Sequence, residues 1–149
     1  MVKVKETKKE FDFNNIPKVH DMVNRVAEII VKDIKSGITR LSQDIHGKPF
    51  KPISKKRADQ KGHDAPLIDR MKMNQVYVKP KATRGNHRAE IKMNERDTET
   101  KKDGNYGNIH NKGLGNQEKR EWFGVGKRII PPLDKAVKEW FKTLYKYRK

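Results

Sequence analysis

Cysteine is absent from this 149-residue chain. Its absence removes disulfides, thiolate metal sites and cysteine nucleophiles together. Nowhere do about 18 apolar residues run in succession, so no helical membrane span and no membrane partner is expected. The opening MVKVKETKKEFDF is basic but has no apolar stretch behind it, and it does not read as a secretory signal. Catalytic signatures are missing as well. There is no Walker-type phosphate loop and no Gly-x-Ser-x-Gly elbow. The histidines His20, His46, His63, His87 and His110 form no close ligand pair, so neither a metal nor another cofactor is expected. Apolar residues are scarce at 33% against 37% charged, which places part of the chain in long loops or a tail. Acidic residues are outnumbered 19 to 36 by Lys and Arg, giving a formal charge of +17. Such a charge favours polyanionic partners: nucleic acid, an acidic protein surface or anionic lipid.

What is present fits one domain over residues 15–149, preceded by a charged arm at 1–14. Within the arm, Phe11 and Phe13 alternate with polar residues as a short strand could, but a flexible, frayed terminus is the plainer reading. A long helix is predicted over residues 17–44. Pro17 suits a first helical turn, and Val19, Met22, Val23, Val26, Ile29, Ile30, Ile34, Ile38, Leu41 and Ile45 are read as one continuous apolar stripe. Such a helix would be about 40 Å long, with Gly37 as a point where it could bend. Residues 50–67, rich in Pro, Gly and basic residues, read as a long loop with one helical turn over 54–61. A further helical turn is expected over residues 67–71. The runs QVYVK (75–79) and RAEIKM (88–93) alternate with period two and predict a hairpin. Residues 94–105 are a polar excursion, 106–110 a third strand and 112–119 a loop. Pro131 and Pro132 open a helix over 132–147, with Leu133, Ala136, Val137, Trp140, Phe141, Leu144 and Tyr145 forming its stripe. The fold class is α+β: a long N-terminal helix, a small antiparallel sheet, a C-terminal helix and long basic loops.

Three constellations invite a chemical reading. Asp69 with Glu90 and Lys92 imitates the carboxylates and lysine of a Mg²⁺ nuclease, but Glu-x-Lys arises readily on a solvated hairpin face. Gly104-Asn105-Tyr106-Gly107 has the outline of a GxxG phosphate-clamping loop, without a helix pair to support it. Trp122, Phe123, Trp140, Phe141, Tyr145 and Tyr147 lie near cations as base-stacking residues do; packing into a core is the plainer use.

The most distinctive stretch is YGNIHNKGLGNQEKREWFG, residues 106–124. It joins Tyr-x-x-x-His-x-x-Gly (Tyr106, His110, Gly113) to Arg-x-x-aromatic-Gly (Arg120, Phe123, Gly124) just before the last helix. Upstream, Gly47, Phe50, Pro52-Ile53-Ser54, Lys55-Lys56 and Pro66-Leu67 form a second ordered series. In order and spacing these segments resemble the phage virion morphogenesis (tail completion) proteins, across residues 17–147. Where that family usually has Thr-Gly and a hydrophobic after Pro-Leu-Ile-Asp, this chain has Arg70-Met71-Lys72.

The resemblance implies a structural protein without catalytic activity, acting in tail completion and head–tail joining. It implies copies of itself in a ring, neighbouring neck and tail proteins as partners, and packaged DNA within reach. Its place would be the head–tail junction of a virion assembled in the bacterial host cytoplasm. The residues expected to matter are Tyr106, His110, Gly113, Arg120, Phe123 and Gly124. The glycines would set backbone geometry, Phe123 would anchor the loop, and Arg120 would make a charge-assisted bond to a carboxylate or carbonyl. The alternative function is a basic nucleic-acid-binding protein that contacts phosphates through Lys and Arg.

Overall fold

The computed structural model describes residues 18–67, 75–93, 110–113 and 118–146. Helix α1 spans Val19–Ser36 and passes directly into a π-helical turn, Gly37–Leu41. A short helix α2 (Lys55–Lys61) follows, then strands β1 (Val76–Val78) and β2 (Ile91–Met93), a 3₁₀ turn (Lys127–Ile129) and helix α3 (Ile130–Lys146). Two helical arms thus frame a two-stranded antiparallel sheet, and the class is α+β as expected.

Helix α1 buries the centre of its predicted stripe. Ile34 and Ile38 are 1% and 2% exposed, and Ile30 and Val31 pack beside them. Each such aliphatic contributes roughly 1.5–3 kcal/mol when fully withdrawn from water, so this end of the helix is its anchor. The helix stops earlier than its apolar pattern suggests. The π turn holds one more residue per turn than an α-helix, which shifts the phase and leaves Leu41 45% exposed. Ser42 then adopts a left-handed conformation (φ 47°), and the Gly37 carbonyl accepts from both Ser42 and Gln43 N–H. That closes the helix three residues before the expected end. At the other end Lys18 is left-handed (φ 65°), so α1 begins after it; Pro17 lies outside the described residues.

The expected turn at 54–61 is present as α2, where the Ser54 hydroxyl accepts from Arg57 N–H at 3.3 Å as an N-cap. The hairpin pairs Val76 with Met93, Tyr77 with Lys92 and Val78 with Ile91. Val76 faces inward at 1% exposure and Tyr77 outward at 38%, the alternation that the sequence predicts. The hairpin tip is tied back to α1 by Asn24, whose side-chain amide accepts from Ala82 N–H (2.7 Å) and donates to its carbonyl (2.9 Å). The third strand proposed over 106–110 is not supported where it can be seen. Residues 110–112 form a helical turn, because His110 and Asn111 turn inward toward the 118–124 segment rather than extending along the sheet. Tyr106, Asp69, the arm at 1–14, most of the turn at 67–71 and the excursion at 94–105 all lie outside the described residues.

Helix α3 begins at Ile130, two residues before the predicted start. Both prolines fall in its first turn, where the backbone N–H groups have no intrahelical partner in any case. Ile129 and Ala136 are buried and Leu133, Val137 and Trp140 half-buried, while Ile130 and Phe141 remain 58% and 47% exposed. One hydrophobic cluster joins the elements: Ile34, Ile38, Phe50, Leu67, Val76 and Trp122, with Ile91 and Phe123 against it.

Candidate functional site

Loop 42–50, turn 110–113 and segment 118–128 converge on the end of α1. The loop is built around Asp44, whose Oδ1 accepts from His46 and Lys48 N–H at 2.8 Å each. This is the usual way an Asp substitutes for backbone partners in a turn. Gly47 sits at its apex with φ 86°, and Phe50 N–H returns to the Ser42 carbonyl at 2.8 Å. Ile45 then joins the two halves of the site: its N–H donates to the Glu121 carbonyl (2.8 Å) and its carbonyl accepts from Arg128 N–H (3.2 Å).

Three of the six predicted residues, His110, Arg120 and Phe123, are drawn together by direct bonds or core contact. His110 carbonyl accepts from Arg120 N–H at 2.8 Å. Asn111 reaches 12 residues along the chain to Phe123, accepting from its N–H (3.0 Å) and donating to its carbonyl (3.2 Å). Phe123 lies edge-on to Trp122 (ring centroids 5.4 Å apart) and packs against the core, with Trp122 1% exposed inside it. The aromatic pair of this segment therefore serves packing and is not free to stack on bases. Gly113 closes the turn at φ 67°, where an added Cβ would sit 2.8 Å from Lys119 Cβ. Gly124 has φ 144° and releases the chain toward α3. Tyr106 lies outside the described residues.

His110 and Arg120 are both buried, at 5% and 8% exposure. Burial, then the charges of Arg120 and Lys61, push the His110 imidazole below its ordinary pKa, so the neutral ring is favoured beside the guanidinium. Around them the carboxylates are engaged elsewhere. Glu118 pairs with Lys51 at 2.8 Å and Glu121 with Lys119 at 2.7 Å. Their hydrogen bonds to those lysines hold both carboxyls below the usual range.

The residue with the densest bonding is one that sequence reasoning did not single out. Arg128 grips Asp33 through Nε–Oδ1 and Nη2–Oδ2 bonds of 2.9 Å each, a bidentate pair. It also donates to the carbonyls of Asp33 (3.0 Å), Gln43 (3.1 Å) and Asp44 (2.7 Å). Of these, the Asp33 and Asp44 carbonyls also accept from the Gly37 and Gly47 N–H groups, so Arg128 adds a second donor to each and joins the helix end to the loop. Gly37 is required here because any Cβ would overlap the guanidinium. The only hint in the sequence was a glycine four residues after an Asp on one helix face, a spacing common enough to pass unnoticed.

Asp69 lies outside the described residues, and Glu90 pairs with Arg88 (3.1 Å) and Lys92 (3.6 Å). Among the described residues no group of three His, Asp or Glu could hold a metal ion, and no helix is long and apolar enough to cross a membrane. No family model, curated protein or solved structure matches this chain.

Proposed function

We propose that this protein is a structural subunit of phage assembly, acting in tail completion and head–tail joining through contacts with copies of itself and with neighbouring neck and tail proteins. The observation that carries this reading is the convergence of the resembling segments. Loop 42–50 with Gly47 and Phe50, the turn bearing His110 and Gly113, and the run from Arg120 to Gly124 form one interlocked unit on the end of α1. A unit assembled from backbone bonds, a buried Trp and a clamped helix end presents a fixed surface, as an assembly contact requires. Its glycines and Asn111 serve shape, which suits docking. The test is complementation of a disrupted gene with Arg120→Ala: particle yield should fall by more than the loss of folded protein accounts for. Unchanged yield removes the reading.

A second reading has one specific observation behind it. Lys55 and Lys56 on α2, and Lys79 and Arg84 at the hairpin, are exposed and have no ion-pair partner among the described residues. Cations held in this way contact phosphates, and duplex DNA affinity would then fall with salt at a slope of about −0.9 per phosphate neutralised. A steep slope with binding retained at physiological salt favours this reading; weak, nonspecific binding favours assembly.

A further inference from the structure

The two inward-facing arginines of this site differ in how they are satisfied. Arg128 uses five side-chain hydrogen bonds, two of them to a carboxylate. Arg120 is at least as buried, at 8% exposure, yet its one side-chain bond among the described residues is a long 3.4 Å contact from Nη2 to the Lys51 carbonyl. Its Nε is buried without a hydrogen-bond partner, and no carboxylate pairs with it among the described residues. A guanidinium carries five N–H donors and its charge cannot be titrated away. Glu118 feels the Arg120 charge but is bonded to Lys51, so among the described residues no carboxylate touches the guanidinium. A buried charge without a contacting counter-ion is costly, and the cost points to an anion that could bind there.

Arg120 lines a cavity of about 180 Å³, together with Phe50, Lys51, Glu118, Lys119 and Glu121. The acidic groups in that wall are already committed. Glu118 is held by Lys51, Glu121 by Lys119, and Asp44 by two loop N–H groups. Lys48 also lines the cavity, is exposed, and has no ion pair among the described residues. Two cations, Arg120 and Lys48, therefore line the cavity without a carboxylate in ion-pair contact among the described residues.

We propose that Arg120 and this cavity form a receptor for a single carboxylate, presented by an acidic side chain of a partner protein. A planar carboxylate matches the guanidinium fork. The rim chooses between anions. A nucleic-acid backbone would bring a row of phosphates against Asp44, Glu118 and Glu121, and like charges at such range repel. One acidic side chain meets only the cationic centre. The inference rests on the assembly reading by naming what the docked partner offers, while its test needs no particle.

The test is NMR of the arginine Nε–Hε groups in the full chain, with the Arg120 signal assigned by its loss in Arg120→Lys. N-acetylglutamate is the probe, with sodium chloride at matched ionic strength and inorganic phosphate as comparisons. The expected result is a saturable shift of the Arg120 signal with N-acetylglutamate that chloride does not reproduce. Lys48→Glu, an exposed change that leaves folding intact should Arg120→Lys not fold, is expected to weaken binding on the order of tenfold, the worth of one charged hydrogen bond. An Arg120 signal that stays fixed, moves equally with chloride, or responds to phosphate alone overturns the proposal. A pocket that binds N-acetylglutamate in a protein dispensable for particles keeps this inference and removes the assembly reading; a fixed Arg120 signal in a protein that particles require does the reverse.

Discussion

Replacing Arg128 with Met should cost more stability than any other single change at the site. The side chains of Arg128 and Asp33 are 12% and 15% exposed, so the pair is largely shielded from solvent. Met keeps much of the volume over Gly37 but leaves the Asp33 carboxylate without its counter-ion. Removing one member of a buried pair costs about 3–5 kcal/mol, a large fraction of the roughly 5–15 kcal/mol that holds a typical domain together. The partner change distinguishes charge from packing. With Asp33→Leu added, no buried charge is left alone, and most of the loss should return. Recovery should be incomplete, because the Gln43 carbonyl loses the donor that Arg128 supplied, while the Asp33 and Asp44 carbonyls each keep a backbone N–H. A remaining deficit of about 1–3 kcal/mol is expected, the scale of an unmet buried polar group. Urea denaturation followed by tryptophan fluorescence reads this directly, since Trp122 is 1% exposed in the core beside the clamp. A loss below about 1 kcal/mol for Arg128→Met, or a double variant as unstable as the two single losses summed, would refute the idea that this pair locks the helix end.

Three further outcomes follow from the same geometry. Asn111→Leu leaves the Phe123 N–H and carbonyl without their side-chain partners and should cost about 1–3 kcal/mol in the same assay, with the Trp122 environment altered in near-UV circular dichroism. Gly113→Ala should cost at least about 1–2 kcal/mol from the left-handed conformation, plus displacement of Lys119; a neutral result would mean that the turn relaxes freely. His110 has a folded-state pKa below its unfolded value, so the unfolded chain binds the extra proton first. Its stabilisation is therefore complete above about pH 6.5 and drains away as pH falls below that, and His110→Gln should flatten the stability profile there while wild type declines.

The periodic elements were legible because period and burial agree in them. Ile34 and Ile38 fall on the predicted stripe and Val76 on the predicted inward face, so helix, hairpin and fold class could be read directly. The helix end was not, because a π turn is set by a tertiary partner: the guanidinium that lies over Gly37 comes from a residue more than 90 positions away. Asn24 and Asn111 escaped notice for the same reason. Each binds the N–H and carbonyl of one distant residue, and nothing local in an Asn announces that. At the site, the motif residues from His110 to Gly124 drew attention to the right segments. What the pattern could not give was the contrast between a saturated Arg128 and a poorly satisfied Arg120, which depends on where each guanidinium ends up.

The central proposal is that this chain joins tail to head. The most direct measurement is to disrupt its gene in the source genome, induce the resident phage and image the lysate by electron microscopy. The account predicts DNA-filled heads separate from unattached or malformed tails, restored to whole virions by the wild-type gene. Intact infectious virions from the disrupted strain, or no phage particles from the intact strain, would contradict it and bring the exposed cations and nucleic acid to the front.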